Sequence, residues 1–405
     1  MKKLFVICSA ALSINIASAQ GPEVTSWIQN TTATNPSYPS LVSNCQLVQY
    51  SATEVYVSCT CIPGYAIGPW TGNPNTPANQ NFVFKFTRSP QQNTGTATAI
   101  GLGHIGVWKN GVSVFNVSDA MSYNNAGVWN RNAYFWEGPG FDLCLGHPQQ
   151  QGEYHHHVSP TCLYDQTDSI HHSPVIGYAF DGFPIYGAYA YSNPTDITSP
   201  LKRMKSSYVD TTTTTRGGGT GPIVSSTYPA GCFIEDFKYL AGSGDLDARN
   251  GRYCITPEYP AGTYAYFVTL DNNLNPVFPY TFYGTYYGVV QTGNTGPSGG
   301  HVTITESTTV YSSVGAGINE ANKDITFEFL PNPVTDYAYI YFTPESRNNI
   351  IGSLYNSTGQ LVQTIENMQP SISYALDMTK YPEGIYFLNL VSGDKKVVQK
   401  IVKSK

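Results

Sequence analysis

Short runs in which apolar side chains alternate, or cluster as β-branched residues, recur along the chain at residues 54–58, 81–87, 112–117, 263–269, 301–305 and 397–402. A period of two sends successive side chains to opposite faces of a strand, whereas a helix needs apolar residues three and four apart, and that spacing is hard to find here. Each run therefore predicts a strand. Composition agrees: charged residues make up only 12%, there are 31 tyrosines, and 38 glycines and 27 prolines punctuate the runs. The expected fold is mainly β, of the secreted type. A net charge of −6 gives no footprint for nucleic-acid binding.

Lys2 and Lys3 precede an apolar stretch over 4–16 and then Ala17-Ser18-Ala19, the pattern of a signal peptide over 1–19 that is cut before Gln20. Cys8 lies inside the apolar stretch and not at its end, which argues against an acylated lipoprotein. Beyond it no apolar run is long enough to cross a bilayer. Export leaves seven cysteines in an oxidising space, so disulfides are expected, with one thiol left over. Proximity suggests Cys144 with Cys162, Cys232 with Cys254, and Cys45 with Cys59 or Cys61. The first pair would close a loop around a group of histidines, worth about 3 kcal/mol in chain entropy.

The stretch TGNTGPSGG over 292–300 and the loose segment that follows the run at 301–305 divide the chain. The expected organisation is a β-rich passenger over 20–312, a linker over 313–324 and a small antiparallel β-sandwich over 325–405. In the last part, Pro331-Asn332-Pro333, Gly359, the run over 381–386 and a lysine-bearing terminal strand resemble a type IX secretion C-terminal sorting domain of type A. That resemblance implies an address read by outer-membrane export machinery, often removed as the passenger is attached to the cell surface or released. The plainer alternative is an ordinary Ig-like or adhesive module.

The passenger contains GVWKNGVSVFN (106–116), LGHPQQQGEYHHHVSPTCL (145–163), HSPVIGYAFDGFPIYG (172–187), GDLDARNGRYCITPEYPAGTYAYFVTL (244–270) and FPYTFYGTYYG (278–288). In this order the blocks resemble the YHYH-domain proteins over roughly residues 100–290. The naming tetrapeptide falls on Tyr154-His155-His156-His157, with His156 where the second tyrosine stands. The resemblance brings no settled activity with it.

The chemistry must come from the residues. On an extended strand His155 and His157 share a face, about 6 to 7 Å apart at their α-carbons, while His156 faces the other way. Two imidazoles so spaced can grip one metal ion. A third ligand is expected from His147 or His172, each in a turn-like Gly or Pro context, and Asp181 is a candidate to orient an imidazole or to ligate. Three neutral imidazoles with an open position suit zinc or copper. The competing reading is a structural cluster that holds no ion. His156 and His171 rank last as ligands, and His104 and His301 are read as ordinary surface or structural histidines.

Asp245, Asp247 and Asn250 in GDLDARNG would suit calcium by donor type. The glycine comes one residue late and Thr256 stands where a calcium loop has Glu, so a turn capped by aspartates is the better reading. GPSGG over 296–300 matches a nucleophile-elbow pattern at Ser298, but it lacks the strand before and the helix after. Three classes remain: a metal-binding exported protein, hydrolase or copper redox protein; a surface binding module, for glycans or other ligands, built on the tyrosines of PYTFYGTYYG with Trp108, Trp129 and Trp136; and a structural surface protein whose histidines do no chemistry.

Overall fold

The computed structural model describes residues 20–30, 32–212, 214–296, 299–311, 327–330, 332–342, 350–368, 374–392 and 395–404. The expected signal peptide, the linker over 313–324 and Ser298 lie outside the described residues. The chain divides into two compact units, Met1–Tyr311 and Ser312–Lys405.

The first unit is built on two sheets. A four-stranded sheet has the order Thr309–Tyr311, Cys45–Tyr50, Glu54–Cys59, Phe82–Thr87. An eight-stranded sheet runs Gly251–Cys254, Thr263–Phe267, Pro184–Tyr186, Val175–Ala179, His104–Trp108, Ser113–Phe115, Tyr154–His156, His147–Pro148. Val48, Val57, Phe84 and Phe86 of the smaller sheet share one core with Ile105, Val107, Val114, Ile176 and Tyr178 of the larger. Residues 54–58, 81–87, 112–117 and 263–269 each contribute a strand as their alternation predicts. Residues 301–305 do not: His301 forms one isolated bridge to Val83 and no strand follows.

In the second unit a three-stranded sheet, Phe327–Leu330, Tyr337–Phe342 and Tyr374–Asp377, accompanies a four-stranded sheet of Leu361–Met368, Ile350–Asn356, Gly384–Ser392 and Lys395–Lys403. Ala338 and Ile340 from one sheet and Leu354, Leu388, Leu390 and Ile401 from the other form a single core, which makes a sandwich. The turn expected over 356–359 joins two of its strands, with Gly359 at φ +80°. The Asn356 Oδ1 there accepts from the Thr358 and Gln360 backbone N–H groups.

Cys144 and Cys162 form a disulfide. The other expected pairs do not form. Cys232 and Cys254 are buried free thiols. Between them the chain runs out along a ribbon in which Phe237–Tyr239 pairs with Tyr208–Asp210, returning to the far edge of the large sheet. Cys45 and Cys59 face each other in register but stay unbonded. Cys45 points its sulfur to the Lys109 carbonyl, and Cys61 points its own to the Tyr154 carbonyl at 3.1 Å.

Candidate metal centre

Tyr154–His156 lies one strand in from an edge of the large sheet. It runs parallel to Ser113–Phe115, with Ser113 opposite His155, and antiparallel to His147–Pro148, with His147 opposite His155. Cross-strand pairing therefore puts His147 on the face of His155, and the two-residue period brings His157 to the same face. Phe115 stacks on the His155 ring at 3.8 Å, and the Phe141 ring lies 4.8 Å from that of His147.

A fourth side chain closes this group. Asn132 caps the one-turn helix Ala133–Trp136 by accepting from the Tyr134 N–H, and Glu137 ends it. One donor atom from each of Glu137, His147, His155 and His157 lies within 4.8 Å of the others. The three imidazoles are buried, while the Glu137 side chain is 30% exposed, so the carboxylate stands on the open side.

The ring nitrogens show which atoms point inward. His155 Nδ1 contacts the Glu153 carbonyl oxygen at 3.0 Å, and His157 Nδ1 contacts that of Asn116. A carbonyl only accepts, so each ring carries a proton on Nδ1, which turns Nε2 inward as the atom that a metal would take. Those two Nε2 atoms face each other at 3.1 Å. At that distance the two atoms share either one proton or one metal ion. Glu137 Oε2 lies 2.9 Å from His157 Nε2 and 3.4 Å from His147 Nε2. His147 Nε2 and Glu137 Oε2 are nonetheless buried without a hydrogen bond. Donors this buried and this poorly partnered are the pattern a metal ion would satisfy.

Electrostatics keeps two of the donors in ligating form. Burial, followed by the neighbouring His147 and His157, holds His155 well below the usual imidazole range, so it is neutral. Burial pushes the Glu137 carboxyl upward, but contacts with His147 and His157 outweigh it and bring it to about 2, so it is ionised.

The opposite face of the strand is packed. His156 is fully buried, its Nε2 3.3 Å from the Tyr65 hydroxyl, and burial lowers it to about 3. The Tyr154 hydroxyl donates to Asp142, which also accepts from the Cys144 and Gly146 N–H groups. One carboxylate thus orders the turn leading into His147, and the disulfide clamps that turn to Cys162.

Two expected ligands lie elsewhere. His172 packs against Tyr186 and Tyr191, and its Nδ1 contacts the Ser173 carbonyl. It belongs to the loop leading into Val175–Ala179, which two strands separate from Tyr154–His156. Asp181 is fully buried and accepts from the Tyr266 hydroxyl and the Gly288 N–H, supporting the core and no imidazole. Asp245 and Asp247 cap turns: Asp245 accepts from Lys202 and the Lys205 N–H, Asp247 from the Arg249 N–H and the Tyr264 hydroxyl. His171 is exposed on Asp168, whereas His104 is buried against Glu153, and His301 is exposed beside Phe82. Of the expected aromatic platform, Trp108, Tyr280 and Tyr286 are core residues, while Trp129, Trp136, Tyr283 and Tyr287 are partly exposed. Glu137 went unnoticed in the sequence; its one signal is the Gly-Pro-Gly turn that follows it, a context like that of His147.

A groove of about 590 Å³ lies over the centre. Its lining includes Asn73, Asn75, Asp119, Trp136, Gln149 and Gln150 besides the four donors.

Residues 83–281 match the YHYH protein family, and that span includes all four convergent side chains. Residues 328–404 match the secretion system C-terminal sorting domain. No curated protein matches the chain.

Proposed function

The chain carries a YHYH domain and a type IX sorting domain, and from that premise we propose that it is an exported metalloprotein binding one zinc or copper ion through His147, His155 and His157. The sorting domain implies handling by the type IX machinery and secretion toward the outer surface. No helix among the described residues is long and apolar enough to cross a membrane.

The observation that carries the metal reading is the convergence of one donor atom from each of His147, His155, His157 and Glu137 within 4.8 Å, with two Nε2 atoms facing each other at 3.1 Å beside an ionised carboxylate. Three imidazoles form a donor set that suits zinc or copper. Glu137, on the open side, would serve as a fourth ligand or would orient a water at the open position, and the Lewis-acid chemistry such a centre would supply makes metal-assisted hydrolysis the reaction class we favour.

The test is elemental analysis of the full-length protein, made without a histidine tag under oxidising conditions, beside His155→Ala/His157→Ala. Near-stoichiometric zinc or copper is expected in the wild type and little in the variant. A wild type that is metal-free and takes up neither ion on dialysis would end this reading.

A further inference from the structure

Taking the histidine centre as a metal site, the geometry points to a ligand class for the groove above it: a neutral glycan chain, seated on Trp136 and hydrogen-bonded along the Asn73–Gln150 side. The charge of the lining narrows the choice first. No lysine or arginine lines the groove, and its carboxylates are Glu137, held between His147 and His157, and Asp119, 3.6 Å from Arg131 Nη1. Nucleic acids, polyuronates and sulfated chains need cations along their length and would find, besides the metal, only Arg131 beside Trp136, already paired with Asp119.

A peptide added as a strand is also disfavoured. The sheet edge at the groove is His147–Pro148, where Pro148 has no N–H and its carbonyl already accepts from the Asn73 and Asn75 amides. That edge offers no ladder to extend.

What the groove does offer suits hydroxyl groups, each both donor and acceptor. Asn73 and Asn75 already donate to the Pro148 carbonyl and Gln149 to Glu153, so these three present chiefly their side-chain carbonyls, while the exposed Gln150 presents both functions. Trp136 adds a flat apolar surface of the kind a sugar ring stacks on. Its ring is fixed, because Nε1 donates to the Cys232 carbonyl at 2.8 Å and the Arg131 guanidinium covers one face at 4.2 Å from the centroid, so a sugar would stack on the other face. A rigid, partly exposed aromatic contributes contact area at little entropic cost. The volume is within the range of small-ligand sites.

The experiment is native affinity electrophoresis of the full-length, metal-loaded protein in gels containing xyloglucan, galactomannan or mixed-linkage β-glucan, against polygalacturonate and heparin. Retardation by at least one neutral polymer is expected, weakened about tenfold in Trp136→Ala and more modestly in the exposed Gln150→Ala, with metal content measured on each sample. Metal-loaded protein that no neutral polymer retards, or that only the anionic ones retard, overturns the glycan proposal and leaves the metal reading intact. Retardation of a wild type that cannot bind metal overturns the metal reading and leaves the groove. Retardation that neither substitution weakens puts the glycan elsewhere and overturns this seat.

Discussion

At the scale of single residues, the turn before His147 depends on a missing side chain. A Cβ at Gly146 would lie 2.4 Å from the Tyr154 hydroxyl and 2.8 Å from His156 Nε2. Neither neighbour can retreat, since Tyr154 and His156 are both fully buried. Gly146→Ala is therefore expected to cost about 1–3 kcal/mol, the usual range for overpacking. It should also shift His147 and weaken metal binding. A urea titration followed by tryptophan fluorescence, with metal affinity on the same variant, checks both; an unchanged midpoint would show that the turn relaxes freely. The donors themselves were unevenly legible. His155 and His157 follow from the period of a strand, which is local. Glu137 comes from a one-turn helix, and its approach to the imidazoles depends on tertiary packing that no spacing encodes.

At the scale of elements, the site is a cross-strand pair, His147 opposite His155, held at a sheet margin by the Cys144–Cys162 disulfide. Sequence separation of 18 is small enough for pairing by proximity to work there. It failed for Cys232 and Cys254, because the intervening chain makes an excursion into another ribbon. It failed likewise for His172, which is near His157 in sequence but beyond two intervening strands in the sheet, an order that hydrophobic alternation does not reveal. Removing the clamp with Cys144→Ser/Cys162→Ser should lower stability by about 3 kcal/mol on the loop-entropy account. Metal affinity should fall as well, since His147 would lose its tethered turn. Denaturant midpoints with and without bound metal measure both effects, and a metal affinity equal to wild type would mean that strand pairing alone positions His147.

At the scale of the whole molecule, the mainly β class was readable because alternation is local, whereas strand order and sheet stacking depend on pairings between distant segments. The buried imidazoles then set how the first unit responds to acid. Burial lowers His155, His156 and His172, so each stays neutral in the folded state while its unfolded counterpart takes up a proton below about pH 6.5. Stability is fully present above that pH and falls as pH drops through it, by up to about 1.4 kcal/mol per pH unit for each imidazole. Asp181 opposes this: burial raises it to about 6, so the folded state takes up a proton there before the unfolded state does. Burial raises Glu54 and Asp119 too, and they oppose it in the same way; the imidazoles of the unfolded chain titrate first, so the net direction is a loss between about pH 6.5 and 5. All five tryptophans precede Tyr311, so tryptophan fluorescence reports the first unit without interference from the sorting domain. Metal-free protein should show a urea midpoint that falls steadily from pH 7 to pH 5. The metal-loaded form should fall more steeply, because protons compete with the ion for His147, His155 and His157. A flat profile for the metal-free form would mean that water reaches these imidazoles in the folded state.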